Sequence, residues 1–212
     1  MTANIAQVVR TAATHIHCVC IFVLLNIYFI KCGIRIIPHT KGGHSVKNIV
    51  LLSSAHLHAD AYIHELSTVS DARIVGVYDN DPARAEAAGT RYGIPVFPAL
   101  DAALGASDAA IICSENIHHE MFALEAIKAG KHVLCEKPLA TTPEAAVRMV
   151  NAADTEGVLL MTAFPCRFSP AYQQFKQLVN SGAIGDIRAL RGTNQGMCPG
   201  GWFVQKELSG GG

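Results

Sequence analysis

An α/β fold, with a parallel sheet wrapped on both faces by helices, is predicted by three features of this chain. From residue 48 onward, short apolar runs alternate with segments of helical periodicity. The runs NIVLL, DAAIICS and VLLMTAF are apolar at successive positions, as strands covered on both faces must be. Helix punctuation (Asp81-Pro82, Thr142-Pro143, then Gly93, Gly130 and Gly157) falls between those runs.

Each element follows in order. NIVLL is strand one, and a helix runs through Tyr62 to Leu66. Ala72 to Asp79 is strand two, and NDPARAEAAGTRYG is a helix with Asp81 as N-cap, Pro82 at its first position and Gly93 as C-cap. IPVFP is predicted as a short third strand, LDAALGAS as a short helix, and Asp108 to Ser114 as a buried fourth strand. HHEMFALEAIKAG carries helical spacing and stops at Gly130; Lys131 to Pro138 is strand five. A helix capped by Thr142 and closed by Gly157 leads to strand six, Val158 to Phe164. FSPAYQQFKQLVNSGAIGDIRALRGT then reads as helix, glycine turn and strand, the start of a second, α+β domain. The expected division is an atypical extension over 1–46, a nucleotide-binding-type domain over 47–165, and the truncated start of a second domain over 166–212.

Composition narrows the function classes. The chain has 212 residues, 50% hydrophobic and 16% charged, with a formal net charge of zero. Neither a basic patch nor a polybasic run recommends nucleic acid. The charge is uneven: Arg10, Lys31, Arg35, Lys41 and Lys47 are unopposed by any acid before residue 48. The remainder holds 12 Lys and Arg against 17 Asp and Glu, a net of −5. Within the leader, CVCIFVLLNIYFI is a 13-residue apolar run, short of the roughly 20 residues a spanning helix needs. It has the length of a signal-peptide core, but no small-residue cleavage site follows. It is read as an extension outside the fold, and a membrane partner is not expected. Seven cysteines without CxxC spacing favour neither a disulfide framework nor zinc, so the expected compartment is the reducing cytoplasm.

The chemistry starts at the first strand–helix turn. NIVLLSSAHLHADAYIH has the layout of a dinucleotide-binding βα turn, with Ser53, Ala55 and His58 where G-x-G-x-x-G has its glycines. Ser and Ala are the smallest replacements, so Ser53, Ser54, Ala55 and His56 remain candidates to meet a pyrophosphate. The free N–H groups and positive dipole end of the following helix are expected to help. A purely structural turn explains the stretch equally well. Asp79 ends strand two, 21 residues beyond His58, near where an acid meets a ribose 2′-hydroxyl. A carboxylate there repels a 2′-phosphate and favours NAD over NADP; the plain alternative is a turn-forming Asp in YDNDP. His56 and His58 form a pair, but no carboxylate or cysteine at ligand spacing joins them, so no metal is expected.

Five further motifs, SENIHH (Ser114 to His119), EKP (Glu136 to Pro138), RFSP (Arg167 to Pro170), GAIG (Gly182 to Gly185) and NQGMCPGGWF followed by GGG, together resemble the Gfo/Idh/MocA oxidoreductases, over roughly Lys47 to Gly212. The family's T-P-N-x-x-H appears as Ser114, Glu115, Asn116, Ile117, His118 and His119. Its E-K-P is Glu136, Lys137, Pro138; its R-F-x-P is Arg167 to Pro170; its G-x-I-G is Gly182 to Gly185. NQGMCPGGWF followed by GGG resembles the start of the family's second domain.

The resemblance implies a Rossmann-like fold, NAD as cofactor with NADP as the second option, and a small-molecule substrate carrying a sugar or polyol hydroxyl. It also implies a homo-oligomer at full length. It makes Lys137 the catalytic residue, with an ammonium that hydrogen-bonds the substrate hydroxyl. Pro138 shapes its turn, the preceding bond being often cis in the family. Ser114, Asn116, His119, Glu136 and Arg167 join Lys137 around the cofactor, Glu136 more as a hydrogen-bond partner than as an acid. The family's catalytic Asp and His follow the GGG stretch, so on that pattern the chain is an N-terminal fragment. Two functions follow: an NAD(P)-dependent oxidoreductase, or a non-catalytic nucleotide-binding or regulatory protein on the same fold.

Overall fold

The computed structural model describes residues 46–193 and 196–211. The expected extension therefore lies outside the described residues except for Val46. Five strands form one all-parallel sheet in the order β2-β1-β3-β4-β5. They are β1 (Lys47–Leu52), β2 (Ala72–Tyr78), β3 (Ala109–Ile112), β4 (His132–Cys135) and β5 (Leu160–Thr162). The helices are α1 (Ala59–Leu66), α2 (Pro82–Tyr92), α3 (Leu100–Gly105), α4 (His119–Lys128), α5 (Pro143–Glu156), α6 (Pro170–Asn180) and α7 (Lys206–Ser209). After β2 the chain crosses back, and the sheet grows on the other side of β1. The reversal leaves a crevice between the carboxyl ends of β1 and β3, where ligands of such sheets bind.

The apolar strands predicted from the sequence are buried on both faces. Ile49 and Leu51 pack with Ala59, Tyr62 and Leu66 of α1 and Ala88 of α2. Val50 and Leu52 point the other way, against Leu104, Phe122, Ala126 and Met149 from α3, α4 and α5. Each fully buried Val, Leu or Ile contributes roughly 1.5–3 kcal/mol over an exposed one, so two β1 residues on each face clamp both layers to the sheet.

The expected caps form. Asp81 accepts the Ala83 and Arg84 N–H groups at 3.0 and 3.3 Å, and α2 ends at Gly93 with φ 64°. Thr142 Oγ1 accepts the Ala145 N–H at 3.2 Å, and α5 ends at Gly157 with φ 65°.

Two expected strands do not form. IPVFP contributes one isolated bridge, Val77 to Val96, with Val77 N–H donating to Pro95 O and Phe97 N–H to Val77 O, both at 2.9 Å. Pro95 and Pro98 carry no N–H, so a longer ladder lacks donors. The segment still sits tight on β2, because a Cβ on Gly76 would lie 2.6 Å from both Pro95 O and the Phe97 ring. IRALRGT is likewise coil, with Leu190 76% exposed. A strand needs a neighbour to satisfy its backbone, and no described strand lies beside it. No helix among the described residues is long and apolar enough to cross a membrane.

Candidate active site

Parallel strands deliver the residues that follow them to one edge of the sheet. Ser53 follows β1, Asp79 follows β2, Ser114 to Asn116 follow β3, and Glu136 and Lys137 follow β4. The turn after β1 is tightly wired. Ser53 holds φ 66°, a left-handed conformation that glycine adopts freely, at the position of the first fingerprint glycine. That conformation costs a residue with a Cβ roughly 1–2 kcal/mol. Its surroundings hold it there: Ser53 N–H donates to Tyr78 O at 2.7 Å, and Ser53 Oγ accepts the Ala55 N–H at 3.2 Å. Ser54 N–H donates to Asp79 Oδ2 at 2.9 Å, His56 N–H to Cys113 O at 2.8 Å, and His58 N–H to His56 Nδ1 at 3.1 Å. The expected row of free donors is therefore mostly engaged within the protein. Helix α1 starts only at Ala59, whose N–H is also bonded, to His56 O at 3.0 Å.

Asp79 is almost fully buried and accepts four hydrogen bonds. Its Oδ1 takes the Asp81 N–H at 3.0 Å and Arg84 Nη2 at 2.7 Å; its Oδ2 takes the Ser54 N–H and Arg84 Nε at 2.8 Å. Arg84 also reaches the buried Glu115, Nη1 to Oε1 at 2.8 Å and Nη2 to Oε2 at 3.4 Å. Burial pushes the Asp79 carboxyl up, but hydrogen bonds from Arg84 and from the Asp81 and Ser54 N–H groups outweigh it and hold the pKa below the ordinary value. Neither Arg84 nor Glu115 was singled out from the sequence. Glu115 carried one signal, standing where the resembled family has proline.

Glu136, 1% exposed, gathers a second cluster. Its Oε1 faces His58 Nδ1 at 2.9 Å and accepts the Tyr62 hydroxyl at 2.7 Å; its Oε2 accepts the Lys137 N–H at 3.2 Å. Burial raises its pKa, and the bonds from His58 and Tyr62 more than offset that, so the carboxylate stays ionised. Contrary to the expectation from sequence spacing, a carboxylate accompanies the histidine pair. His56, His58 and Glu136 present ligand atoms within 4.8 Å of one another, because β4 brings Glu136 under the β1 turn. Proton placement decides what the trio can do. Burial pushes His56 down to about 4, only partly opposed by Glu136, so the ring is neutral. Its Nδ1 accepts the His58 N–H, which assigns the proton to Nε2. Among the described residues that Nε2–H has no hydrogen-bond partner, and Glu136 Oε2 lies 3.8 Å from Nε2. A metal ion needs the Nε2 lone pair and would force two N–H groups to face each other at Nδ1. The arrangement suits a proton-sharing cluster better than a cation cage.

The remaining predicted residues separate into exposed and buried sets. Lys137 is exposed and its bond to Pro138 is cis. His119 is fully buried, with Nδ1 at 2.7 Å from Pro138 O and Nε2 at 3.3 Å from Ser114 O. Burial lowers its pKa, and the neutral ring donates to the nearer carbonyl. Its place is thus under the Lys137–Pro138 turn rather than in the crevice. Ser114 is equally buried, its hydroxyl on Glu115 O at 3.0 Å. Arg167 is exposed, its guanidinium 5.5 Å from the Phe164 ring.

Tail residues not among the sequence-based site candidates also reach the turn. Trp202 and Phe203 stack at 3.8 Å, the Trp202 indole N–H donates to Ala55 O at 3.0 Å, and the Phe203 ring lies 5.3 Å from His56. Asn116 Nδ2 donates to Ser209 O at 2.9 Å. The segment assigned to a second domain thus closes one side of the crevice.

Comparison with known proteins identifies the family and the fold. A family model described as "Oxidoreductase family, NAD-binding Rossmann fold" matches residues 52–164. Inositol 2-dehydrogenase 2 of Saccharopolyspora erythraea is 43% identical over 150 residues, 68% of this chain and 43% of that protein. D-glucoside 3-dehydrogenase of Escherichia coli is 38% identical over 164 residues, 74% of this chain and 45% of that protein. Among solved structures, the WlbA dehydrogenase of Bordetella pertussis, in complex with NADH and UDP-GlcNAcA, superposes with a TM-score of 0.63 at 29% identity, covering 70% of this chain and 42% of that one. The chain thus spans less than half the length of these relatives.

Proposed function

The chain belongs to the GFO_IDH_MocA oxidoreductases, with their NAD-binding Rossmann fold, and on that footing we propose that it binds a nicotinamide dinucleotide at the β1/β3 crevice and serves hydride transfer at a sugar or polyol hydroxyl. The observation that carries this reading is the convergence of Asp79, Asn116 and Lys137 just beyond the ends of β2, β3 and β4. The side chains present fit such a ligand. An ionised acid stands at the end of β2, a half-buried amide follows β3, and an ammonium is exposed after β4. The phosphate turn offers fewer open backbone donors than a glycine-rich one, so the reading expects modest affinity.

When bound, the nicotinamide supplies the hydride acceptor or donor. The chain's own residues do the rest. Lys137 donates a hydrogen bond to the substrate oxygen and stabilises its negative charge as hydride leaves the carbon, the hydroxyl proton passing to solvent water. Glu136 and His119 support that lysine from below, through the Lys137 N–H and the Pro138 carbonyl respectively. Asp79 orients the ribose and Asn116 lines the crevice. Cys113 and Cys135 are free, buried thiols whose pKa burial pushes well up, which keeps them unreactive.

The single tryptophan offers a direct assay, since Trp202 is hydrogen-bonded to the phosphate turn. NADH is expected to quench its fluorescence saturably. With inositols and glucosides as substrates, Lys137→Ala is expected to lower kcat by roughly 10²–10⁴-fold, with NADH affinity changed by less than about threefold. Unchanged kcat would remove Lys137 from the chemistry, and no quenching of folded protein would remove the nucleotide. A second reading is nucleotide binding without turnover, which the turn favours in one respect: Ser53 and Ala55 stand where the fingerprint has glycines. That reading expects quenching with no turnover of any polyol.

A further inference from the structure

We propose that Glu115 is a positioning residue for Arg84 and, through it, sets the choice of NAD over NADP; this rests on the nucleotide reading above. The four bonds to Asp79 fill the acceptor positions a carboxylate offers, two from backbone N–H groups and two from Arg84. The backbone donors are fixed by the turns. A ribose diol that takes Asp79 therefore takes the places Arg84 holds. The displaced guanidinium has a second seat, because it already spans the two Glu115 oxygens at 2.8 and 3.4 Å.

Glu115 gives that seat a consequence for selectivity. A guanidinium beside the ribose is the usual receptor for a 2′-phosphate. Here one guanidinium serves two buried carboxylates, Asp79 and Glu115, leaving a net charge of −1 at the diol end of the crevice. A 2′-phosphate would have to pull Arg84 from Glu115 and approach both acids, whereas an uncharged diol exchanges hydrogen bonds only.

The test uses Trp202 quenching by NADH and by NADPH in the full chain and in Glu115→Gln and Glu115→Asp. Glu115→Gln keeps an acceptor for Arg84 and removes the charge. Its Kd ratio of NADPH to NADH is expected to fall on the order of tenfold at low salt, and less as salt screens the site. A gain in NADPH affinity cannot arise from a loss of folding. Glu115→Asp, which retains the charge, is expected to keep the wild-type preference. An unchanged ratio in Glu115→Gln, or an equal shift in Glu115→Asp, overturns the inference while leaving the nucleotide site standing. If folded wild type responds to neither nucleotide, the nucleotide reading itself fails and the inference falls with it.

Discussion

Removing the Arg84 guanidinium tests whether the Asp79 centre stabilises the fold. Arg84→Met keeps most of the aliphatic volume but deletes the contacts to Asp79 at 2.7 and 2.8 Å and to Glu115 at 2.8 Å. The Asp79 and Glu115 side chains are 0% and 7% exposed beneath Arg84, so the substitution leaves two largely desolvated carboxylates without their cation. Breaking a buried ion pair by removing one partner costs about 3–5 kcal/mol. Asp79 keeps the Ser54 and Asp81 N–H groups, which points to the lower end, about 3 kcal/mol. For a chain of this size each kcal/mol lowers Tm by roughly 2–4 °C, so a fall of about 6–12 °C is expected at neutral pH.

The pH dependence sharpens the test. In wild type the folded Asp79 pKa lies below its unfolded value, so its contribution is present above the unfolded pKa and is lost as pH falls through the folded one. Without Arg84, burial is less opposed and raises the folded pKa. The buried charge then destabilises the variant above that pKa, and protonation relieves the cost below it. The gap between wild type and variant should be widest near pH 7 and close as the buffer is taken into the acid range. Thermal melts at neutral pH read the fall in Tm, and urea melts across the pH series read the gap in stability. A gap under about 1 kcal/mol at neutral pH, or one indifferent to pH, would refute the argument from a desolvated pair.

Two further substitutions address the turns that shape the site. Ser53→Gly relieves the left-handed strain at φ 66° and frees the Ala55 N–H from the Ser53 hydroxyl. Stability is expected within about 1 kcal/mol of wild type, since glycine's unfolded-state entropy offsets the relief. NADH should bind several-fold tighter to this variant, and unchanged or weaker quenching counts against the cramped-turn account. Gly76→Ala would drive a Cβ to 2.6 Å from Pro95 O and the Phe97 ring. Overpacking of that kind costs about 1–3 kcal/mol, and an unchanged Tm would show that the 94–97 segment yields freely.

Much of the fold was legible because its signals are local. Asp81 and Thr142 cap the helices they precede, Gly93 and Gly157 take the left-handed turn at their ends, and the runs in β1 and β3 are apolar on both faces. The prolines of IPVFP were equally visible, yet the segment was expected as a strand. Pro95 and Pro98 withhold two N–H donors, and that outweighs the apolar character of the segment. IRALRGT has a strand's composition and no partner alongside, which composition cannot reveal.

The sequence by itself determined the sheet, its two covered faces and the strand ends where Ser53, Asp79, Asn116 and Lys137 emerge. Each of these depends on residues close in sequence acting through propensity, caps and burial. Only the tertiary structure decided what those residues touch. Glu115 lies 31 residues from the arginine it shares with Asp79, Glu136 lies 78 from His58, and Trp202 lies 147 from Ala55. Such pairings have no local signature. They arise because parallel strands far apart in sequence end at one edge, in a buried setting where every charge and polar atom needs a partner.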